Sequence, residues 1–499
     1  MQRRGAAIAA AVGGGALTVA GFAPLGVAPI PFVTLAFLLA LWRHSDSARV
    51  GFWIGFAFGA GLFGTGVSWV YVSLHDFGMM PAPLAGVGTV LFCAILAVYP
   101  AAAGWCLGRL GTDRPAGSVL AFAALWTLFE WIRGWLFTGV PWLAIGYSQA
   151  GWPLAGFAPI AGVYGVSFAT ALCSGLLYLL LSGGRRARVV CAVALMLVFS
   201  AGHLFRQIAW TTPQGAPLQV ALLQGNIPQD LKFQAERYAA TLATYRRLIE
   251  ASRARLIVLP ETAIPRFLDD VDPRYLKDIA RIAVERNGDV LIGVPIRDPE
   301  GRYFNSVISV GTSPMQRYDK SHLVPFGEFV PPGLHWMVTT LSIPLSDFSS
   351  GPAHPHPLSL AGQLVAPNIC WEDAFGEEII RPLPQATLLV NVSNVAWFGD
   401  SLAPGQHLQI ARMRAMETGR FMLRATNTGV TAIIDPRGNV SARLPQFTEG
   451  VLAGEVQGYA GATPYVTSGN IPVVLLCLAG IAWLALRRFR VVGRAGESR

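Results

Sequence analysis

The chain has 499 residues, of which 53% are hydrophobic and 13% are charged, and its formal net charge is +9 at pH 7. Soluble domains usually carry about 25% charged residues, so the composition excludes an ordinary soluble globule. The high apolar content also excludes a disordered chain.

Long apolar stretches dominate residues 1–206 and return near the C-terminus. A helix that crosses a bilayer needs about 20 mostly apolar residues. We therefore predict eight membrane-spanning helices, of which the first two are short and interrupted by Gly and Pro. Arg3 and Arg4 precede the first stretch as in a signal peptide, but no convincing cleavage site follows, so we predict a retained helix. The predicted spans are 5–22, 28–42, 50–73, 83–108, 117–137, 154–182, 188–206 and 471–487.

The arginines between these stretches predict the orientation, because cytoplasmic loops are enriched in Lys and Arg. If Arg3 and Arg4 lie inside, the arginine clusters around 43–49, 109–114, 185–188 and 487–499 all lie inside as well. The opposite segments, 74–83 and 136–153, contain neither Lys nor Arg. We therefore predict two cytoplasmic termini and an extracytoplasmic segment 207–470. The net charge then reflects membrane topology, and we expect no nucleic-acid partner.

Residues 207–470 show the pattern of a soluble α/β domain. Short β-branched or Leu-rich runs, bounded by polar residues, Gly or Pro, predict buried strands, and helical patterns lie between them. Such alternation is typical of a layered α/β domain, in which reactive residues often follow the carboxyl ends of strands. The predicted strands are 218–223, 256–259, 290–294, 306–310, 364–369, 388–392 and 431–434, and the predicted helices are 232–253, 273–286 and 405–419.

Three chemically useful residues follow predicted strands: Glu261, Lys320 and Cys370. Taken singly, a capping glutamate, a surface lysine and a buried structural thiol remain simpler interpretations. Cys370 is the only one of the six cysteines in this domain, so no disulfide can form within it. Taken together, the three residues supply a general base, an ammonium for a developing oxyanion and a nucleophile. They form a complete set for acyl transfer through a thioester.

These strand ends resemble the Glu-Lys-Cys triad of the nitrilase, or carbon–nitrogen hydrolase, superfamily. Longer motifs resemble its membrane-bound branch, the apolipoprotein N-acyltransferases. The resemblance implies eight spans plus an α-β-β-α sandwich, divided as residues 1–206 with seven helices, 207–470 with the catalytic domain, and 471–499 with the eighth helix and a basic cytoplasmic tail. The motifs are LPETAIP at 259–265, KSHLVPFGEFVP at 320–331, NVSNVAWFG at 391–399, QHLQIARMRA at 406–415 and EWIRGW at 130–135.

The resemblance also implies roles for individual residues. Cys370 would be the nucleophile, Glu261 the general base and Lys320 the oxyanion stabiliser. Trp371 and Phe233 stand where the family often has Tyr and Trp, so both keep an aromatic ring but change its hydrogen bonding. The residues expected to support the triad or line the substrate site are Glu328, Trp371, Glu372, Phe233, Asn226, Asn305 and Trp397.

The implied reaction moves an acyl chain from a membrane phospholipid, usually phosphatidylethanolamine, to the thiol as a thioester. The chain then passes to the α-amino group of the N-terminal diacylglyceryl-cysteine of an apolipoprotein. The implied location is the bacterial inner membrane, with the catalytic domain on the periplasmic side. We expect a monomer without a cofactor. We also expect no metal, because the sequence has no Cys/His cluster and the close histidines His354 and His356 flank a proline in a loop.

Two other functions fit parts of the sequence. A membrane-tethered nitrilase-type amidase would use the same triad but would need only one span. A transporter with a large external domain would need ionisable residues at mid-membrane depth, and the spans contain few. Glu130 and Arg133 lie one helical turn apart near a span end, which favours a local pair. The apolar segment 325–336 is a candidate membrane contact or lid over the acyl pocket.

Overall fold

A computed structural model describes residues 2–111, 115–330 and 347–496. Residues 331–336 of the predicted lid segment lie outside this part of the chain. The chain divides into two compact units. The first comprises Met1–Tyr71, Pro83–Ile208 and Thr467–Arg499, and the second comprises Val72–Ala82 and Ala209–Val466.

The first unit is built from α-helices. Within the described residues, six helices are long and apolar enough to cross a membrane. Ala48–Gly66 and Val70–Phe77 form a pair bent by 57° that counts as a seventh only if both belong to one span. The helix Ile30–Arg43, in the predicted second span, has 14 residues and is therefore about 21 Å long, short of a 30 Å hydrocarbon core. The helices are Gln2–Thr18, Ile30–Arg43, Ala48–Gly66, Ala82–Leu110, Pro115–Arg133, Ala158–Ser182, Arg185–Phe205 and Ile471–Gly496.

Two local features hold this unit together. Helices Gln2–Thr18 and Ala48–Gly66 pack closely at Gly15 and Gly61, where an added Cβ would lie 1.9 Å from Phe58 O and 2.0 Å from Val12 O. Such close approach of small residues is a common way for membrane helices to associate. In the same unit, Glu130 Oε1 accepts hydrogen bonds from Trp126 Nε1 at 2.9 Å and from the Ile145 backbone N–H at 2.8 Å.

The described part of the second unit contains two six-stranded sheets. The strands are β1 Thr212–Gln224, β2 Leu256–Val258, β3 Asp289–Arg297, β4 Tyr303–Gly311, β5 Arg317–Asp319, β6 Leu358–Leu360, β7 Gln363–Ile369, β8 Leu388–Ser393, β9 Met422–Thr426, β10 Ala432–Ile434, β11 Val440–Arg443 and β12 Gly450–Ala460. The first sheet has the order β12-β1-β2-β3-β4-β5, and the second has the order β11-β10-β9-β8-β7-β6. The neighbours β1, β2 and β3 run parallel, as do β7, β8 and β9.

The apolar side chains of the strands make a four-layer sandwich. One core cluster joins the inner faces of both sheets, with Val220 and Val258 from the first sheet and Val390 from the second. On the outer face of the first sheet, a second cluster packs helices Ala235–Ala251 and Pro273–Glu285 against the strands. A third cluster packs helix Ala403–Thr418 on the outer face of the second sheet. The layers follow the order helix, sheet, sheet, helix, which agrees with the predicted α-β-β-α sandwich.

The predicted strands match β1, β2, β3, β4, β7, β8 and β10 in position. The list of predicted strands omits β5, β6, β9, β11 and β12. Arg424 interrupts the apolar run of β9, several glycines interrupt β12, and β5, β6 and β11 have only three or four residues each. The sequence analysis also placed the start of the first soluble helix too early. The helix begins at Ala235, and Lys232 and Phe233 lie in a turn before it.

Candidate active site

Glu261 follows β2 by three residues, and its carboxylate is held from two directions. Oε1 accepts a hydrogen bond from Asn305 Nδ2 at 2.7 Å, and Oε2 accepts one from the backbone N–H of Asn394 at 2.7 Å. The first donor comes from β4 and the second follows β8, so both sheets fix this side chain. It is buried. The geometry suits a base whose position does not depend on substrate.

Lys320 directly follows β5 and is almost completely buried. Its Nζ lies 2.8 Å from Glu328 and 3.9 Å from Glu261 Oε1. Burial lowers the pKa of this ammonium, but the carboxylates of Glu328 and Glu261 outweigh burial, so the pKa is raised above its ordinary value. The lysine is therefore a permanent positive charge at neutral pH.

Asn305 and Glu328 connect Glu261 to Lys320. Asn305 Nδ2 donates to Glu261 Oε1 and also to Glu328 Oε1, at 2.7 and 2.8 Å. The second oxygen of Glu328 accepts the backbone N–H of Val324 at 2.8 Å. The amide thus separates two carboxylates that would otherwise repel each other, and each carboxylate keeps a fixed orientation.

Cys370 lies directly after β7 with a φ of +56°, a left-handed conformation that costs a non-glycine residue energy. Its carbonyl oxygen accepts a hydrogen bond from Asn391 Nδ2 at 3.0 Å. Burial raises the pKa of the thiol, the negative charges of Glu261 and Glu328 raise it further, and Lys320 and Arg424 oppose them. The resting thiol is therefore protonated at neutral pH, and its use as a nucleophile requires a base.

Glu372 is buried and acts as a clamp between the loops that carry Lys320 and Cys370. Oε1 accepts the backbone N–H groups of Ser321 at 2.7 Å and of His322 at 3.1 Å. Oε2 accepts the Tyr318 hydroxyl at 2.7 Å and the Ile369 N–H at 2.6 Å. Burial raises the pKa of this carboxyl group, while the backbone donors lower it. These contacts position the neighbours of the lysine and the thiol.

A second buried network lies behind the thiol and was not predicted. Asp373 Oδ1 lies 2.7 Å from His407 Nε2, and Oδ2 accepts a hydrogen bond from Arg424 Nη1 at 3.1 Å. The same guanidinium nitrogen donates to Asn391 Oδ1 at 2.7 Å. Asn391 in turn holds the Cys370 carbonyl, so the network reaches the strained residue through one amide.

Lys232 is a further site residue that the sequence analysis did not single out. Its side chain is buried, and Nζ donates a hydrogen bond to the backbone oxygen of Glu261 at 3.1 Å. Burial lowers its pKa to about 8, although the charges of Glu261 and Cys370 act in the opposite direction. The sequence analysis did not identify Lys232 because it assigned this residue to the predicted helix 232–253.

The other predicted lining residues lie in varied surroundings. Phe233 is 42% exposed. Trp371 is half-buried and packs edge-on against Phe375, with ring centroids 5.3 Å apart. Asn226 lies two residues after the end of β1, and its Nδ2 donates a hydrogen bond to Phe447 O at 3.0 Å, so this side chain anchors a loop. The Trp397 ring lies 6.2 Å from that of Phe77. Among the described residues, no group of three or more His, Cys, Asp and Glu side chains could hold a metal ion.

Comparisons with known proteins assign this chain to a class. Residues 219–465 match the family model described as Carbon-nitrogen hydrolase. Residues 14–176 match the model described as Apolipoprotein N-acyltransferase N-terminal domain. The chain therefore combines a carbon–nitrogen hydrolase domain with an apolipoprotein N-acyltransferase N-terminal domain.

Proteins that are similar to this chain over nearly its whole length identify the family within this class. The chain is 52% identical to an apolipoprotein N-acyltransferase from Nitrosomonas europaea, over 93% of this chain and 95% of that one. It is 47% identical to the protein of that name from Ralstonia nicotianae, over 94% and 92% of the two chains. The protein of that name from Methylococcus capsulatus is 44% identical over 96% of both chains. The chain belongs to the apolipoprotein N-acyltransferase family.

Proposed function

We propose that the chain transfers an acyl group from a membrane phospholipid, through a thioester on Cys370, to the α-amino group of an apolipoprotein. The observation that carries this proposal is the convergence of a fixed carboxylate, a permanent ammonium and a thiol in a chain whose long relatives bear the acyltransferase name. Phosphatidylethanolamine is the proposed donor, and the N-terminal diacylglyceryl-cysteine of the apolipoprotein is the proposed acceptor. A membrane-tethered amidase is not favoured, because the similarity extends over the membrane helices as well.

In the first half-reaction, Glu261 takes the proton from the Cys370 thiol as the sulfur attacks the ester carbonyl carbon of the donor. The carbonyl oxygen becomes negative, and the ammonium of Lys320 stabilises it. The ester C–O bond then breaks, and Glu261 returns the proton to the departing lysophospholipid oxygen. The acyl group remains on the sulfur as a thioester.

In the second half-reaction, the neutral α-amino group attacks the thioester carbon. Glu261 accepts the amine proton, the C–S bond breaks, and the thiolate takes up that proton again. Because the donor product leaves before the acceptor is used, this proposal predicts ping-pong kinetics. Glu328 and Asn305 keep the lysine and the base in place, and Glu372 orders the loops around them.

The proposed setting is the bacterial inner membrane with eight spans, two cytoplasmic termini and residues 207–470 in the periplasm. Confinement of enzyme, donor and acceptor to one bilayer raises their effective concentration. A cysteine introduced at the exposed Lys277 should react with a membrane-impermeant maleimide in cells with a permeabilised outer membrane. Labelling only after lysis would contradict this orientation. We also propose that the monomer is the active form, which light scattering of the purified protein in detergent can test.

The central experiment is intact-mass analysis of the purified full chain after incubation with phosphatidylethanolamine. We expect the mass of one acyl chain on the wild type and on Cys106→Ala, a control at a half-buried membrane cysteine, and none on Cys370→Ala. Addition of a diacylated lipopeptide should remove the adduct and give the N-acylated lipopeptide. Absence of the adduct from wild type, or the same adduct on Cys370→Ala, would contradict the mechanism.

A further inference from the structure

The chain uses lysine sparingly. It contains 38 lysine and arginine residues, and the lysines are Lys232, Lys277 and Lys320. Two of these three are buried in the candidate site, since Lys232 is 3% exposed and Lys320 is 1% exposed. Arginine is the cation almost everywhere else in the chain. An ammonium is a compact point charge, whereas a guanidinium is a broad planar fork, so the two buried positions indicate a need for the smaller group.

Lys232 is held by a hydrogen bond to the backbone of Glu261, the proposed base. Its Nζ donates to Glu261 O at 3.1 Å. Gln229 lies in the same turn as Lys232, and its Oε1 accepts a hydrogen bond from Asn394 Nδ2 at 2.7 Å. The backbone N–H of Asn394 donates to the Glu261 carboxylate. The lysine, the turn and the base therefore form one connected hydrogen-bonded unit that links both sheets.

The charges around the thiol show why a second ammonium matters. A thiolate on Cys370 faces the carboxylates of Glu261 and Glu328, which disfavour it, and the cations Lys320 and Arg424, which favour it. Each of those two cations already has a carboxylate partner, since Lys320 pairs with Glu328 and Arg424 pairs with Asp373. Lys232 donates its hydrogen bond instead to the neutral backbone oxygen of Glu261, although the charge of the Glu261 carboxylate also acts on it. It is therefore not held in a direct ion pair of the kind that Lys320 and Arg424 make.

We propose that Lys232 is a positioning residue of the acyl-transfer site, which fixes the backbone of Glu261 and stabilises the Cys370 thiolate with its ammonium charge. This inference gives Lys232 a part in the proposed function and rests on that function for its biological meaning. The electrostatic effect on the thiol can be measured without any acyl donor.

The charge of Lys232 should give a specific pH signature. Because burial lowers its pKa to about 8, the ammonium is present below that pH and is lost as the pH rises through it. Any stabilisation of the thiolate by this charge should disappear over the same range. A purely structural contribution of the side chain would not follow this titration.

The test is the rate of alkylation of Cys370 by iodoacetamide, followed by peptide mass spectrometry on the full chain in detergent. In this reaction the sulfur forms a bond to carbon, iodide leaves and the thiol proton is released. Lys232→Met should react about tenfold more slowly than wild type at neutral pH, because the thiolate loses one nearby positive charge. The two rates should converge above about pH 9, where wild-type Lys232 is mostly neutral.

Two further variants complete the test. Lys232→Arg keeps its charge at high pH, so it should remain faster than wild type above about pH 9. Lys277→Met, at the exposed lysine, should match wild type throughout. Equal rates for Lys232→Met and wild type at every pH, or a difference that does not change with pH, would overturn the proposal. If Lys232→Met does not fold, the comparison of Lys232→Arg with wild type at high pH decides the question alone.

The acyl-adduct experiment separates this inference from the proposed function. A wild-type adduct together with a pH-independent alkylation ratio would refute the role of Lys232 and leave the acyl transfer intact. The expected alkylation profile without a wild-type adduct would refute the acyl transfer and retain the electrostatic effect of Lys232 on the thiol.

Discussion

The ammonium nitrogen of Lys320 lies 2.8 Å from the carboxylate of Glu328 and is farther from Glu261, at 3.9 Å. Glu328 is therefore the direct ionic partner of the lysine. This arrangement leaves the Glu261 carboxylate available to exchange a proton with the thiol. The two glutamates, both close to one lysine, are thus suited to different tasks.

Glu328→Gln should weaken the charge on Lys320. Burial lowers the pKa of this lysine, and Glu328 is the largest influence that raises it, so the variant should lose the ammonium at a lower pH than wild type. We expect acylation of Cys370 to be at least about tenfold slower at neutral pH and to fall further as the pH rises. The adduct rate measured across pH checks this, with the exposed Glu300→Gln as the control. If the acylation rate of Glu328→Gln fell at the same high pH as that of wild type, Glu328 would not be the residue that keeps Lys320 charged.

Asn305→Asp should slow the acylation of Cys370 more than Asn305→Ala does. The amide of Asn305 donates to both Glu261 and Glu328, and an aspartate would replace those donors with a third negative charge. The added charge repels both carboxylates, so we expect acylation of Cys370 to be about tenfold slower in Asn305→Asp than in Asn305→Ala. Single-turnover acylation at neutral pH measures the two rates. Equal rates for the two variants would show that Asn305 does not control these charges.

The strand-end pattern and the chemistry of the three residue types together predicted Glu261, Lys320 and Cys370 as candidates. Each follows a strand directly or within three residues, Glu261 and Lys320 in the first sheet and Cys370 in the second, and reactive residues often lie at such carboxyl ends. The lysine motif also contained Glu328, whose position in the chain is only eight residues from Lys320. Local sequence carries this information because strand ends and the adjacent loop lie close in the chain.

The rest of the site depends on contacts between distant segments. Lys232 meets the backbone of Glu261 across 29 residues, and Arg424 meets Asp373 across 51 residues. A buried arginine within β9 has no periodic signature, so the pattern of apolar residues did not predict this strand. The buried charge of Arg424 is stabilised by the carboxylate of Asp373, which comes close to it only when the second sheet is folded. Sequence periodicity records which face is apolar but does not identify the partner of a buried charge.

Arg424→Met should destabilise the second unit strongly. Both Arg424 and Asp373 have fully buried side chains, and removal of one partner from a buried ion pair typically costs about 3–5 kcal/mol. Asp373→Leu combined with Arg424→Met should recover part of this loss, because no buried charge is then left without its partner. Thermal unfolding of the detergent-solubilised chain measures the order of the variants. Arg274→Ala, at an exposed pair with Asp272, should leave the unfolding temperature unchanged. A single variant as stable as wild type would contradict the importance of the pair.

Cys370→Gly should unfold at a higher temperature than Cys370→Ala. The residue has a φ of +56°, which costs an alanine about 1–2 kcal/mol and costs a glycine almost nothing. The larger conformational entropy of glycine in the unfolded chain offsets about 0.5–1 kcal/mol of this, so a small net advantage remains. Neither variant has a thiol, so neither should form the acyl adduct, and the comparison isolates the effect of the backbone conformation.

In the wild type, the hydrogen bond from Asn391 Nδ2 to the Cys370 carbonyl helps to hold the strained backbone in place. Asn391→Ala should therefore allow the backbone to relax and reduce the difference between the glycine and alanine variants. An alanine variant more stable than the glycine variant would show that the left-handed conformation stores no strain at the nucleophile.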